Sequence, residues 1–358
     1  MGKTILQIVP TLPPAISGVG DYALILARAM RQHHGINSIF IVGNPEWHGG
    51  SEIEGFEVRT VASRTDTSLI GSLDSSTSMP VLLHYVGYGY ARRGAPFWLS
   101  EGLKQWHKKA RDPLVTMFHE VYASGPMWKS EFWYRPAQIV VAQDLLRISE
   151  ICVTSNEFYG EVIRNLDPFY RSTRDWLKIL PVFSNVGEPD CLPSFEERKP
   201  QAVVFGGLGR RQEVYNHWSE FLPFCEKLGI QSIVDIGPGK PACGEILNVN
   251  NYGILDPMNI SSLLKDSKMG LLLIPLYLLN KSTIFASFLA HGLVSIISSK
   301  KKVILEYKDQ ENYFICADTL ATRKSELINA SLISERAFKL YQTHSSKSLS
   351  LEYSFFLS

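Results

Sequence analysis

The stretch TILQIVPTLPPAISGVGDYALILARAM, residues 4–30, predicts the first elements of the fold. Its first six residues form an apolar run that predicts a strand, and the segment after Gly18 places apolar side chains at helical spacing. Between them lies a proline-rich loop that ends on Gly18 and Gly20. A buried strand, a loop and an amphipathic helix are together the first half of a βαβ unit.

The two glycines fit the G-x-G-x-x-A spelling of a dinucleotide fingerprint, but they do not fit its spacing. In such a site the first glycine closes the strand, and the second strand ends on an acidic residue. Here residues 11–17 separate the strand from Gly18, and the second strand ends in FIVGN, residues 40–44, without an acid. An NAD-dependent oxidoreductase therefore remains only an alternative.

Gly18 and Gly20 then have two interpretations. They could simply let the chain turn into the helix. Alternatively, they bring backbone N–H groups at a helix N-terminus to a ligand, which favours phosphate or a sugar hydroxyl. The loop follows the carboxyl end of the first strand, where ligands bind in parallel sheets, and this position favours the second interpretation.

Short apolar runs and amphipathic stretches alternate along the chain, which predicts parallel sheets covered by helices. The alternation pauses in residues 184–200, where prolines, turn residues and charges cluster. We therefore predict an α/β fold with two Rossmann-like parallel-sheet domains that face a cleft. The predicted parts are an N-terminal domain (1–185), a linker (186–200), a C-terminal domain (201–340) and a tail (341–358), for which a return to the N-terminal domain is one option.

Composition narrows the function classes. The 358 residues carry a formal net charge of +1, so no overall field attracts nucleic acid. Five scattered cysteines without a C-x-x-C pair are typical of a cytoplasmic protein, and the nine histidines show no metal-site spacing either. The first residues predict a strand rather than a signal peptide, and no apolar run is long enough to span a bilayer. We expect a cytoplasmic protein, with peripheral membrane association as an option.

Four segments together resemble the GT-B glycosyltransferases of the retaining family-4 type. GVGDY (18–22) is similar to the opening of these enzymes, and MFHEVYASGP (117–126) to their segment in which a histidine follows an apolar strand. LPVFSNVGEP (180–189) resembles the segment before their linker, and FASFLAHGLVSII (285–297) resembles their donor-site helix and the next strand. Each motif is loose alone, and their order and spacing carry the resemblance.

The resemblance implies transfer of a sugar from a nucleotide-sugar to an acceptor hydroxyl, a hexosyltransferase-type reaction of carbohydrate biosynthesis. It implies retention of configuration, no metal and no other cofactor, with the acceptor on the N-terminal domain and the donor on the C-terminal domain. It also implies that His119 hydrogen-bonds the donor sugar and helps to orient the acceptor. The neighbouring Glu120 could fix the tautomer of His119 or act on the acceptor hydroxyl. His119 and Glu120 are therefore the candidate catalytic residues.

The donor site departs from the family in its charges. The alignment of AHG (290–292) with the family motif places Leu279 and Ser287 where the family has two glutamates. Cations occur elsewhere: GGLGRR (206–211) follows a strand, and NKST (280–283) precedes an apolar helix. Cations and hydroxyls at a helix N-terminus suit a diphosphate. A solvated helix start is the alternative for the arginines, and their position at the carboxyl end of a strand favours the phosphate contact. The predicted donor and phosphate contacts are Gly18, Gly20, Arg210, Arg211, Lys281, Ser282 and Thr283.

HYVGY, residues 84–88, ends another strand with aromatic rings and polar tips, which suit the faces of sugars. We predict that His84, Tyr85 and Tyr88 contact the acceptor, and a packed interdomain loop is the alternative. The acceptor itself stays open among a glycan, a lipid-linked sugar and a small molecule. Because the glutamate pair is missing, a non-catalytic GT-B-like protein that binds a sugar or nucleotide is the second hypothesis for the whole chain.

Overall fold

The structure is a computed structural model that describes residues 3–73, 79–110, 112–123, 130–166, 175–244, 246, 248–299, 314–315 and 329–358. The chain divides into two compact units. Unit 1 consists of Met1–Pro181 and Ser346–Ser358, and unit 2 consists of Val182–Ser345. Residues 186–200, interpreted above as a linker, therefore lie in unit 2, and the C-terminal tail is divided at Ser346.

Unit 1 is built on an eight-stranded sheet. Its strands are β1 (Thr4–Val9), β2 (Asn37–Val42), β3 (Glu52–Ile53), β4 (Phe56–Thr60), β5 (Val81–Tyr85), β6 (Leu114–Phe118), β7 (Ile151–Thr154) and β8 (Leu177–Ile179). The strand order is β3-β4-β2-β1-β5-β6-β7-β8, and all pairs are parallel except β3 with β4 at one edge. β5 and β6 are buried at every position, as expected for central parallel strands with helices on both faces.

The helices of unit 1 are α1 (Gly18–His34), α2 (Asp66–Leu73), α3 (Gly87–Tyr90), α4 (Phe97–His107), α5 (Ser130–Ile148), α6 (Glu157–Leu166) and the C-terminal α12 (Ser346–Phe356). The sequence of α1 explains both of its ends. Ser17 caps the first turn through its side chain, and Gly35 ends the helix in the left-handed conformation. α12 packs against α1, and His34 Nε2 lies 3.1 Å from Ser350 Oγ.

Unit 2 contains a six-stranded parallel sheet with the order β11-β10-β9-β12-β13-β14. Its strands are β9 (Lys199–Phe205), β10 (Ser232–Ile236), β11 (Val249–Gly253), β12 (Ser267–Leu273), β13 (Val294–Ser298) and β14 (Phe314–Ile315). Its helices are α7 (Leu208–Asn216), α8 (Trp218–Lys227), α9 (Pro257–Lys265), a 3₁₀ helix (Leu276–Lys281), α10 (Thr283–Ala290) and α11 (Ala330–Gln342). No helix within the described ranges combines the length and apolar character needed to cross a membrane.

Unit 2 departs from the sequence prediction at two places. The amphipathic pattern of residues 212–229 predicts a single helix, but the structure splits this segment into α7 and α8 at His217, whose backbone is not helical. Pro223 is the sixth of the ten residues of α8, so it lacks the N–H that would otherwise donate to the carbonyl of Ser219. The strand β11 was not predicted because VNNYG is largely exposed and asparagine and glycine disfavour strands.

Candidate functional site

Both sheets place the sequence-predicted motifs at the point where their strand order reverses. The reversal lies between β1 and β5 in unit 1 and between β9 and β12 in unit 2. In open parallel sheets, ligands bind outside the carboxyl ends of the strands at such a switch point. The segments that follow these four strands carry Gly18, Tyr88, Arg210 and Lys281, each in the helix after its strand. Each unit therefore offers one position for a ligand.

The glycine loop of unit 1 forms a tightly packed start of α1. Ser17 Oγ accepts the amide of Gly20 at 3.1 Å, and the Ser17 carbonyl accepts the amide of Asp21. A Cβ on Gly20 would lie 2.5 Å from the carbonyl oxygen of Thr11, whereas one on Gly18 would have nothing within 4 Å. Close packing therefore accounts for Gly20. The first-turn amides of Gly18 and Val19 are the ones that could meet a ligand.

Four polar side chains form a chain of hydrogen bonds across the sheet of unit 1. Gln7 Nε2 donates to Ser38 Oγ at 2.8 Å, and Gln7 Oε1 lies 2.8 Å from His84 Nε2. His84 Nδ1 in turn lies 3.2 Å from His119 Nε2. His84 is completely buried, and burial lowers its pKa to about 3, so the ring is neutral at neutral pH. This position gives His84 a supporting role beside His119 rather than the acceptor contact predicted from the sequence.

Tyr22 of α1 packs against both imidazoles. Its ring centroid lies 5.9 Å from that of His84 and 5.1 Å from that of His119, in edge-to-face geometry in both cases. The Tyr22 hydroxyl lies 3.4 Å from the hydroxyl of Tyr353 on α12. Burial raises the pKa of both phenols, so they stay protonated. The C-terminal helix thus contributes to the wall around the two histidines.

The remaining predicted residues of unit 1 have different surroundings. Tyr85 is completely buried and packs on Phe118, with ring centroids 5.4 Å apart, so its ring belongs to the core. Tyr88 is 42% exposed, and its hydroxyl accepts a hydrogen bond from Gln138 Nε2 at 3.2 Å. Glu120, directly after His119, is half-buried. Of the three residues predicted to bind the acceptor, Tyr88 is the one that solvent reaches.

The two arginines of unit 2 have opposite environments. Arg210 is exposed, whereas Arg211 is completely buried and forms an ion pair with the equally buried Asp235. Arg211 also donates to the carbonyl oxygens of Gly206, Pro238 and Gly239. Its guanidinium therefore donates to acceptors within the protein, and these hydrogen bonds connect the loops after β9 and β10. The geometry supports a phosphate contact for Arg210, and for Arg211 it supports a structural role.

Lys281, Ser282 and Thr283 lie together at the start of α10, and all three are half-buried. Ser282 is the N-cap residue, and its Oγ accepts the amide of Phe285 at 3.2 Å. The loop after β9 lies against this turn, since a Cβ on Gly206 would be 2.7 Å from Ile284 Cδ1. The structure thus brings the GGLGRR and NKST segments together at the switch point of unit 2.

Neither residue at the aligned glutamate positions faces a ligand. Leu279 is 1% exposed and belongs to the apolar interior. Ser287 is completely buried; its Oγ donates to the carbonyl of Thr283 at 2.7 Å and lies 3.0 Å from Ser184 Oγ. Longer carboxylates at these two positions would not fit the present packing. Neither position therefore offers a carboxylate to a ligand.

Two further features lie apart from these residues. A cavity of about 910 Å³ opens between α7, α8 and the start of β10, with Trp218, Cys225 and Cys243 in its lining. Because it lies at the amino end of β10, it is separate from the switch point at the carboxyl ends. Among the residues that the structure describes, no cluster of three or more His, Cys, Asp or Glu side chains is arranged to hold a metal ion.

Sequence reasoning missed the residues that support His119. Gln7 lies in a segment whose apolar pattern predicts a strand, and none of Gln7, Ser38 and Tyr353 is among the predicted site residues. One signal was available: Gln7 is the polar residue in the otherwise apolar core of TILQIV, and a buried amide needs partners. The identity of those partners depends on which strands are neighbours in the sheet, and this information is not local in the sequence.

The sequence matches no protein-family model and no curated protein. Solved structures do match. An alpha-glucosyltransferase in complex with UDP-glucose and DNA containing an abasic site is 12% identical, with a TM-score of 0.59 over 99% of this chain and 98% of that one. The pneumococcal O-GlcNAc transferase GtfA in complex with UDP and GlcNAc is 11% identical, with a TM-score of 0.59 over 99% of this chain and 98% of that one.

WaaG, a glycosyltransferase involved in lipopolysaccharide biosynthesis, is 13% identical to the chain, with a TM-score of 0.55 and 99% of each chain covered. These structural neighbours are GT-B glycosyltransferases. At such low identity the match shows the fold. The chain therefore has the GT-B fold with two Rossmann-like parallel-sheet units, as the sequence predicted.

Proposed function

We propose that the protein is a glycosyltransferase that moves a sugar from a nucleotide-sugar to an acceptor hydroxyl. The observation that carries the proposal is the arrangement of unit 2: an exposed arginine, a lysine and a helix N-terminus meet at the switch point of a Rossmann-like sheet. Solved neighbours with the same fold hold UDP or UDP-glucose. This combination supports a nucleotide-sugar as the ligand.

On the donor side, Arg210, Lys281 and the first turn of α10 bind the diphosphate. The leaving nucleoside diphosphate gains negative charge as the glycosidic bond breaks, and fixed cations and helix amides stabilise that charge. Ser282 already caps α10, so we assign to it the shaping of the turn and to Thr283 a hydroxyl contact. These groups supply positive charge from the protein itself, and the proposed mechanism uses neither a metal nor another cofactor.

In unit 1, His119 is the group that meets the reacting sugar, and Glu120 acts beside it. The His119 ring follows β6 and is held by His84 and Tyr22, so its position is fixed before a ligand arrives. The amides of Gly18 and Val19 provide further donors for sugar hydroxyls or phosphate. Tyr88 is the exposed aromatic residue that we assign to the acceptor.

The finer assignments of the proposal are a hexosyl group and retention of its configuration, both taken from the resemblance to family-4 enzymes. The acceptor is a hydroxyl of a glycan, a lipid-linked sugar or a small molecule. One observation favours a different function, binding without catalysis. The positions of the family glutamates are occupied by the buried Leu279 and Ser287, and neither supplies a carboxylate.

Turnover separates the two functions. The purified chain is incubated with nucleotide-sugars carrying a labelled sugar and with candidate acceptors, and the release of nucleoside diphosphate and the labelled product are measured by mass spectrometry. Transfer that is lost in His119→Ala supports the enzyme. A donor that raises the melting temperature but is never consumed, across the whole panel, supports the binding protein.

A further inference from the structure

We propose that Gln7 and His84 are positioning residues that hold His119 as the tautomer protonated on Nε2. The other ring nitrogen, Nδ1, then carries the lone pair. A neutral imidazole has one donor and one acceptor nitrogen, and a hydrogen bond at one nitrogen decides the character of the other. In this protein the hydrogen-bonded side chains of Ser38, Gln7 and His84 determine which nitrogen of His119 carries the proton. That His119 acts on a substrate rests on the proposed function, whereas its tautomer does not.

The first step is the orientation of the Gln7 amide. Its Nε2 donates to Ser38 Oγ at 2.8 Å, which leaves Oε1 directed at His84 Nε2, also at 2.8 Å. A carbonyl oxygen can only accept a hydrogen bond. The proton of His84 therefore lies on Nε2.

The second step derives the protonated nitrogen of His119 from that of His84. His84 is neutral at neutral pH because its burial strongly disfavours the charged form, so a proton on Nε2 leaves Nδ1 with a lone pair. His84 Nδ1 lies 3.2 Å from His119 Nε2, and a hydrogen bond between them requires a proton on His119. His119 Nε2 is thus the donor, and in the neutral His119 ring Nδ1 is the acceptor.

The sheet makes this chain rigid. Ser38 lies on β2, Gln7 on β1 and His84 on β5, while His119 directly follows β6, and these four strands are consecutive neighbours. Ser38, Gln7 and His84 are all completely buried. Tyr22 packs edge-on against both imidazoles and keeps the rings in place. Water cannot easily compete with hydrogen bonds in such an interior. The fold therefore determines which atom donates and which accepts in each of these hydrogen bonds.

The consequence for the proposed reaction concerns the direction of a hydrogen bond. A ligand hydroxyl that meets His119 through Nδ1 has to donate its proton, and the histidine acts there as an acceptor or as a base. A ligand group that can only accept, such as an ether or a carbonyl oxygen, is disfavoured at that nitrogen. Where His119 Nδ1 meets a substrate, the hydrogen-bonded chain from Ser38 to His84 therefore favours a group that donates a proton, such as a hydroxyl.

Nitrogen NMR of histidine-labelled protein at neutral pH tests the inference without any substrate. Two-bond nitrogen–proton correlation spectra distinguish a protonated ring nitrogen from an unprotonated one, and His119→Gln identifies the His119 signals by their loss. We expect the wild-type His119 to carry its proton on Nε2. A wild-type His119 protonated on Nδ1 overturns the proposal, and this part of the test needs no variant that perturbs the chain.

Gln7→Met keeps the length of the side chain and removes the acceptor for His84 Nε2. We expect His84 to lose its tautomer preference and the His119 nitrogen signals to shift towards intermediate values. Tyr22→Phe is the matched control, because it deletes the contact with Tyr353 but leaves the hydrogen-bond chain and the ring packing intact. The same signals should stay at the wild-type values in that control.

If Gln7→Met does not fold, His84→Phe removes the acceptor for His119 Nε2 and takes its place in the test. A folded Gln7→Met or His84→Phe protein that keeps His119 fully protonated on Nε2 overturns the role of the chain. Failure of the transfer assay with the expected tautomers present would instead contradict the proposed function alone.

Discussion

Arg210 and Arg211 are neighbours in the sequence, yet they face different surroundings. The helix α7 begins at Leu208, so consecutive side chains leave it in different directions, and Arg211 enters the interior while Arg210 stays exposed. Asp235 balances the buried charge of Arg211, and Tyr215 donates to the same carboxylate at 2.8 Å. The interior of unit 2 therefore contains a polar network, and one arginine remains for a ligand.

For Arg210→Ala we predict weaker binding of a nucleoside diphosphate at an unchanged melting temperature. A charge-assisted contact contributes on the order of 1.5–3 kcal/mol, which is roughly a tenfold to hundredfold change in the dissociation constant. Isothermal titration calorimetry measures the affinity. Wild-type affinity in Arg210→Ala would place the phosphate elsewhere.

For Arg211→Ala we predict a large loss of stability, because Asp235 would stay buried without its cation. Removing one partner of a buried ion pair lowers the free energy of unfolding by about 3–5 kcal/mol. Urea unfolding followed by fluorescence measures it, and Arg210→Ala is the matched control at the adjacent position. A fully stable Arg211→Ala protein with weakened nucleotide binding would restore the phosphate role that the sequence predicted.

The chemistry of single residues could be predicted only in part from the sequence. The types of residue at the strand ends were recognised, including His84, His119, Arg210 and Lys281. The exposure of these residues could not be predicted, because burial depends on the direction of each side chain and on partners distant in the chain. Asp235 lies 24 residues from Arg211 along the chain, and Gln7 lies 77 residues from His84. No local pattern connects such pairs.

At the scale of elements, the start of α1 tests how the glycine loop works. We predict that Gly20→Ala lowers the free energy of unfolding by about 1–3 kcal/mol, because the new Cβ would lie 2.5 Å from the Thr11 carbonyl oxygen. Gly18→Ala should be tolerated, since nothing lies within 4 Å of a Cβ there. Urea unfolding compares the two variants. Equal stability of both would contradict the packing role of Gly20.

The start of α10 tests the proposed diphosphate contact in unit 2. For Lys281→Met we predict a smaller shift of the melting temperature with nucleoside diphosphate than in the wild type, and lost turnover. Methionine keeps most of the apolar stem and deletes the charge. Lys199→Met is the matched control, because Lys199 lies at the opposite end of β9, where it pairs with Asp266 on the surface. Normal turnover of Lys281→Met would remove Lys281 from the site.

Elements were more predictable than residues. Apolar runs such as TILQIV and VLLHY identified the central strands because both faces of these strands are buried. The short edge strand β3 and the exposed strand β11 were not predicted, because half-exposed edge strands lack an apolar pattern. The boundary between α7 and α8 at His217 was not predicted either, because the amphipathic pattern continues across it.

At the scale of the whole molecule, three buried histidines connect stability with pH. Burial lowers the pKa of His84 to about 3 and those of His291 and His344 to about 4. In the unfolded chain a histidine titrates near 6.5, so between that pH and about 4 the unfolded state binds protons that the folded state does not. Stability is therefore full above pH 6.5 and is lost as the pH falls.

We predict that the melting temperature falls from pH 7 to pH 5. Each of these histidines lowers the free energy of unfolding by up to about 1.4 kcal/mol per pH unit within that window. His344→Gln should reduce the slope, since it removes one of the three titrating groups. A melting temperature that stays constant between pH 7 and pH 5 would contradict the burial of these rings as neutral groups.

The fold class was the most predictable property of the molecule. Alternation of strands and helices gives two parallel sheets, and short right-handed connections leave few arrangements for them. The fold therefore persists in solved glycosyltransferases that are only 11–13% identical to this chain. The alignment based on the resemblance places Leu279 and Ser287 where family-4 enzymes have two glutamates, so a chemistry cannot be assigned from the fold and has to be measured.

A calorimetric titration of the protein with nucleoside diphosphates, beginning with UDP, tests directly whether unit 2 binds a nucleotide. We predict that one nucleoside diphosphate binds with one site per chain, that Arg210→Ala and Lys281→Met each weaken this binding about tenfold or more, and that Lys199→Met does not. Absence of binding for every nucleoside diphosphate, or equal binding in all four proteins, would contradict a nucleotide-sugar site at the switch point of unit 2.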